Sequence, residues 1–224
     1  MTNLASGAAT FDLACRDCTR LATFLDSVRE RYPDYHAAPV APFGDPDARL
    51  LVIGLAPGMH GANRTGRPFT GDYAGILLYQ TLYRHGFASQ ALGAAVDDGL
   101  KLLDCRISNA VKCLPPDNKP TGQEVRACNR YLAAELAGPG APRVLVALGK
   151  VAHEAVLRAL ELRPAAYPFG HGASYQLPDG RRLLASYHCS RYNTNTRRLT
   201  PEMFDAVLAA ARDAVSALLP TVSA

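Results

Sequence analysis

The chain has 224 residues, 48% hydrophobic and 20% charged, enough to close one full-sized core and outside the charge-rich, apolar-poor range of disordered chains. Its net charge of +4 permits contact with a polyanion without requiring it, and no apolar stretch approaches the roughly 18 residues of a membrane span. The opening MTNLASGAATFD lacks the basic start and apolar run of an export signal, so a cytoplasmic monomer with no membrane partner is expected, folded as a single domain over 1–224 with flexible termini.

Apolar residues at helical spacing (Leu21, Phe24, Leu25, Val28) predict a helix over Phe11 to Arg31, halted by Pro33 and followed by a Pro-rich connector to Asp47. RLLVIGLAP, Arg49 to Pro57, reads as a buried strand of the parallel type. A long Gly-rich loop follows, then a helix from about Tyr73 to His85 ended by Gly86. Cys105 to Lys112 is β-like, and Thr121 with Glu124 forms a capping box that opens a helix to about Leu136. RVLVAL, Arg143 to Leu148, is a third buried strand, and KVAHEAVLRALEL after it a helix. SYQLP and RRLLASY flank Asp179 and Gly180, a hairpin signal, and Pro201 to Leu219 closes the chain as a helix. The alternation predicts an α/β fold, a three-layer α/β/α sandwich with a short, mainly parallel central sheet. Ligands of such sheets gather at the carboxyl ends of the strands, which points to the loops after Leu55, Lys112, Leu148 and Tyr187.

Several chemistries are excluded by spacing. Gly149-Lys150 follows a strand, but Val144 and Val151 stand where a phosphate loop needs Gly and Ser or Thr. His153-Glu154 lacks the second His of a zinc protease helix, and there is no GxSxG elbow, so His153 is expected on the helix surface or as a satisfied histidine. Six cysteines in a reducing compartment suggest metal ligands or buried thiols rather than disulfides. Cys15 and Cys18 form a CxxC pair, and Cys113 and Cys128 bracket a second segment; four thiolates of this kind suit zinc or an iron-sulfur cluster, and spacing does not choose between them. Cys105 and Cys189 stand singly and are expected to be small buried thiols.

The most specific stretch is GLAPGMHGANRTGRPFTGDYAG, Gly54 to Gly75, whose glycines let the backbone approach a ligand and whose amides favour negative charge. Together with NAVKCLPPDNKP (Asn109 to Pro120) and SYHCSRYNTNTRRLT (Ser186 to Thr200), it resembles the uracil-DNA glycosylase superfamily, and within it the fifth family of type-b enzymes, in matching order from Cys15 to about Thr200. The resemblance implies a 4Fe-4S cluster on Cys15, Cys18, Cys113 and Cys128, and hydrolysis of the N-glycosidic bond of uracil in DNA, leaving an abasic site, with hypoxanthine and xanthine as further substrates. It also assigns residues: Phe69 stacks on the flipped base and Asn109 reads its edge, accepting from N3–H and donating to O4. His188 donates to O2 of the leaving base, aided by amides around Gly58, and Asp72 orients water or steadies the sugar cation. Leu55 and Ala56 stand where most uracil glycosylases carry an Asp or Asn in the first motif, as in the fifth family.

DNA binding is expected from Arg191, Tyr192, Asn193, Arg197 and Arg198, which crowd one loop after His188 and combine an aromatic with cations; Arg64 and Arg67 are further candidates for phosphate contact. Cys189 and Arg191 replace the prolines of the commoner HPSP form of this motif, which leaves the intercalating residue open. No lysine stands where Schiff-base chemistry would place one. Two other classes remain: a nucleic-acid binder without catalysis whose cluster senses redox state, and a zinc-stabilised binding module, which would be colourless.

Overall fold

The computed structural model describes residues 11–138 and 140–218. Its centre is a sheet of six strands in the order β1-β3-β2-β4-β6-β5, formed by β1 (Phe43–Gly44), β2 (Leu50–Gly54), β3 (Cys105–Asn109), β4 (Val144–Leu148), β5 (Ser174–Gln176) and β6 (Arg182–Ser186). The four inner strands are parallel and both edge strands antiparallel, the mainly parallel sheet that the alternation of elements predicts.

The unbroken apolar runs of β2 and β4 make sense because each face of the sheet is covered. Leu50 and Val52 point into one core, with Leu78, Tyr79 and Leu82 of α3 (Tyr73–Arg84) and Phe204, Val207 and Leu208 of α7 (Pro201–Ser216). Their neighbours Leu51 and Ile53 point into a second core with Leu132 of α4 (Gly122–Glu135) and Ala152, Ala155 and Val156 of α5 (Lys150–Ala159). Three layers result.

Several boundaries differ from the sequence reading. The first helix, α1 (Thr19–Arg31), begins late, with Cys18 as its N-cap; Phe11 instead packs edge-on against Tyr131, their ring centroids 5.5 Å apart. A single helical turn, α2 (Ala62–Thr65), lies within the Gly-rich loop. The third strand stops at Asn109, and Ala110 to Lys112 continue as an irregular segment. The segment after His188 is not all loop: Arg191–Asn195 form a short helix, α6, capped by Ser190, whose hydroxyl accepts from Asn193 N. The capping box at Thr121 is complete, and Arg20 pairs with its Glu124 at 2.7 Å while also donating to the Lys119 carbonyl. This ties α1, α4 and the loop before α4 together.

Candidate active site

The carboxyl ends of β2, β3, β4 and β6 open onto one cavity of about 420 Å³, within the usual range for small-molecule sites. It is lined by the Gly-rich loop (Leu55, Ala56, Gly58, Phe69, Asp72), by Asn109, by Gly149 and by His188 and Ser190. Phe69, Asn109, Asp72, Gly58 and His188, separated by up to 130 positions in the chain, therefore share one site.

Phe69 is buried and has a left-handed backbone, φ +55°, a conformation that costs energy for a bulky residue and is held by its surroundings. Tyr79 of α3 donates to the Pro68 carbonyl at 2.7 Å, and Gly75 lets the first turn of α3 press on the Phe69 carbonyl, where a Cβ would overlap it. The imidazole of His188 lies nearly parallel to the Phe69 ring, 5.9 Å between centroids and 24° between planes. Asn109 is 3% exposed, and its Oδ1 is buried without a hydrogen-bond partner, a costly arrangement unless a ligand completes it. Gly54 at the end of β2 makes this geometry possible: a Cβ there would run into both Asn109 Oδ1 and the Phe69 ring.

Asp72 is the N-cap of α3. Its Oδ1 accepts from Gly75 N at 2.8 Å, and its Oδ2 faces Gly58 and Gly61, where a Cβ on Gly61 would collide with it. Burial raises its pKa, opposed by the amides of Gly75 and Ala74. Burial pushes the His188 pKa down to about 4, so its imidazole is neutral at physiological pH. Asn193 Nδ2 donates to the His188 carbonyl at 2.8 Å, and Gly149, with φ +95°, lets the start of α5 pass beside His188.

A sequence model of the family described as the uracil DNA glycosylase superfamily matches residues 41–212, most of the chain. The chain belongs to the uracil-DNA glycosylase superfamily. It is similar to a Type-5 uracil-DNA glycosylase of Thermus thermophilus, with 52% identity over 204 residues that cover 89% of this chain and 93% of that protein. A Type-5 uracil-DNA glycosylase of Pyrobaculum aerophilum is 42% identical over 87% of this chain and 86% of its own length. A Type-4 uracil-DNA glycosylase of Archaeoglobus fulgidus is 29% identical over 79% and 76%.

The rim of this cavity carries the cations expected after His188. Arg191 lies over the Tyr73 ring, 5.0 Å from its centroid, and Arg198 over Tyr187 at 4.6 Å. Tyr192 projects into solvent at 72% exposure and Arg197 is exposed, whereas the Asn193 amide is already used on the His188 carbonyl. Arg67 is 4% exposed, its guanidinium pairs with Asp98 at 2.7 Å and its Nε donates to Thr70, so it organises the loop rather than standing free on the surface as the sequence suggests. His153 is buried rather than superficial, with Nε2 2.8 Å from the Tyr167 carbonyl oxygen. Sequence reading missed several lining residues, among them Asn118 and Lys150. Asn118 reaches the cavity from the 3-10 turn Pro116–Asn118 with φ +55°, and Lys150 reaches it from the start of α5, its ammonium 3.6 Å from Glu154.

Cys15, Cys18, Cys113 and Cys128 line a second cavity between α1 and α4, together with Leu21, Val111 and Tyr131. Among the described residues no group of three or more Cys, His, Asp or Glu is placed to hold a metal ion. A tetrahedral zinc site would require thiolate sulfurs about 3.8 Å apart, given Zn–S bonds of about 2.3 Å. The Cys113 thiol is nonetheless pushed up to about 12, by burial first and then by Cys128, Cys15 and Cys18. A Cys113 thiolate is thus favoured here only beside a positively charged group. Hydrogen bonds suited to thiolates are in place, from Lys112 N to Cys128 Sγ at 3.3 Å and from Arg130 Nη2 to Cys15 Sγ at 3.6 Å. Cys105 and Cys189 are core thiols, as expected.

Proposed function

We propose that this protein is a monofunctional DNA glycosylase that hydrolyses the N-glycosidic bond of uracil in DNA and leaves an abasic site. The observation that carries the reading is the unpartnered, buried Asn109 Oδ1 beside the Phe69 ring, in a chain 52% identical to a protein named a Type-5 uracil-DNA glycosylase. A flipped uracil stacked on Phe69 presents N3–H to Asn109 Oδ1 and O4 to its amide. Cytosine inverts both groups and would leave the buried oxygen facing a lone pair. Hypoxanthine and xanthine carry the same carbonyl beside a ring N–H, and a cavity of about 420 Å³ has room for a bicyclic base, which supports deaminated purines as further substrates.

As the C1′–N bond breaks, its electron pair leaves with the base and positive charge develops on the sugar. Neutral His188 donates to O2 of the departing base, which lowers its basicity without passing on a full proton. Gly58 lines the same space, and a free amide of its loop would add to this field. On the opposite charge, the Asp72 carboxylate steadies the sugar cation and accepts a proton from the water that attacks C1′. No covalent enzyme adduct is required, and borohydride should trap none on Lys150.

The four cysteines of the second cavity fit a 4Fe-4S cluster, which would pin α1, α4 and the loop from Cys113 to Asn118 and could supply one-electron chemistry when bound. The two cavities share no lining residue, so the base-excising groups stand apart from it. The test is a gel assay on oligonucleotides carrying uracil, hypoxanthine or xanthine, with alkali cleavage at abasic sites. DNA binding without release of free base from any of them would refute the reading and favour a binding module.

A further inference from the structure

A second depression, a groove of about 360 Å³, adjoins the base pocket and shares Asp72 with it as a common wall. Its other sides are Tyr73 and Ile76 from the start of α3, Leu92 to Ala94 from the long loop before β3, and Arg191 from α6. Soluble proteins expose large apolar side chains singly; here three meet, with Tyr73 38%, Ile76 46% and Leu92 56% exposed.

The groove is built rather than incidental. The loop that carries Leu92 is fastened by the buried Arg67–Asp98 pair, and Asp98 also accepts from the amides of Ala94, Ala95 and Leu100. Gly71 N donates to the Gly93 carbonyl at 3.2 Å, which joins this loop to the one bearing Asp72. On the other side the Arg191 guanidinium is held over the Tyr73 ring. The Arg64 guanidinium lies against Gly71, so two cations flank an apolar floor. Apolar and π surface for a base, bordered by cations for the backbone, is the pattern by which single-stranded nucleic acid is held.

We infer that this groove is a nucleobase subsite for the nucleotide next to the flipped one on the same DNA strand, stacked between Leu92 and the Arg191–Tyr73 pair. The assignment rests on the glycosylase reading of the neighbouring pocket, and continuity through Asp72 is what fixes the occupant. A base in the pocket places its sugar near Asp72, and the adjoining nucleotide of the strand then falls one step away, at the groove. Arg67 and Asp98 act as positioning residues that keep Leu92 in place.

The test uses the full chain with its native metal content and single-stranded oligonucleotides bearing a non-hydrolysable abasic analogue at the target position, so that binding is read independently of excision. In two further substrates the base on the 5′ or the 3′ side of the target is replaced by a baseless spacer. Loss of one stacked base should weaken wild-type binding about tenfold on one side only. Leu92→Ala and Arg191→Ala, both at exposed positions, should each bind the intact strand more weakly and lose little further on that spacer strand. Wild-type protein indifferent to both spacers, or variants that keep the full spacer penalty, would overturn the subsite. Failure to release uracil with the spacer penalty intact would instead overturn the glycosylase reading alone.

Discussion

Asp72 performs two tasks that substitution can separate. Through Oδ1 it caps α3, accepting from Gly75 N, and through Oδ2 it faces the base pocket beside Gly58 and Gly61. Asn is as good an N-cap as Asp, so Asp72→Asn keeps the cap while removing the charge; Asp72→Ala removes both. Burial raises the Asp72 pKa, which means that the folded state disfavours the ionised form at neutral pH, and Asn relieves that cost. Asp72→Asn is therefore expected to melt at or slightly above the wild-type temperature. Asp72→Ala loses a cap worth about 1 kcal/mol, a fall of roughly 2–4 °C for a chain of this size, partly offset by loss of the desolvated carboxylate. Both variants should cleave uracil DNA about 10- to 1,000-fold more slowly in single-turnover assays, since each removes the charge opposite the sugar cation. An Asp72→Asn protein as fast as wild type would show that the carboxylate serves the helix alone. Equal loss of melting temperature in the two variants would refute the cap geometry.

Four further outcomes are expected. Because the His188 pKa is depressed to about 4, its neutral form persists well below pH 6.5, so the cleavage rate should show no acid limb near 6.5; such a limb, lost in His188→Gln, would refute a neutral donor. The same depression means that His188 opposes folding as pH falls from about 6.5 toward 4, and His188→Gln should flatten that part of the stability profile. Gly54→Ala, with a Cβ directed at Asn109 Oδ1 and the Phe69 ring, should cut excision at least as much as Phe69→Ala, for which loss of stacking predicts roughly one to two orders of magnitude, and DNA binding assayed alongside should be less affected. Cys113→Ser should yield a protein without visible absorbance that melts earlier, whereas an anaerobically purified wild type that is colourless and contains stoichiometric zinc would refute the iron-sulfur assignment.

The sheet was legible because β2 and β4 are buried on both faces and so are apolar without interruption, and because the Thr121 capping box and the Asp179-Gly180 turn are local chemistry. β1 escaped notice since two residues, Phe43 and Gly44, carry no periodicity. α6 did too: RYNTN has no apolar stripe, and only Ser190 as a cap gives it away. Arg67 looked like a phosphate ligand because its partner, Asp98, lies 31 positions along the chain, beyond any local pattern. Asn118 was hidden in a turn sequence, DNKP, whose Asn reads as a residue suited to left-handed backbone, and the sequence does not say what its side chain faces. The pocket residues that were found came through the resemblance of their motifs; composition and periodicity mark the loop ends and do not say which of them converge.

Where the backbone is strained shows how the site is held. Phe69, Asn118 and Arg197 all have positive φ, at 55°, 55° and 56°, and the first two line the pocket while the third lies on the segment at its rim. Phe69 and Arg197 are neither glycine nor asparagine, so their conformations cost energy that the surroundings must supply, whereas Asn118 adopts a left-handed backbone readily. For Phe69 the supply is visible: the Tyr79 hydroxyl on the Pro68 carbonyl, the bare Gly75 under its own carbonyl and the buried Arg67–Thr70 contact beside it. Asn118 is held at the pocket by its short tether to Cys113, reinforced by Arg20 on the Lys119 carbonyl. The thiol-lined cavity thus reaches the base pocket through five residues of chain, although no lining residue is common to both. Loosening the cysteine site should consequently free the turn that carries Asn118, so if a metal group is bound there its removal is expected to cost base affinity before the sheet is lost. Far-ultraviolet circular dichroism and uracil binding followed together during chelation would detect that order, and loss of the sheet ahead of base affinity would refute the coupling.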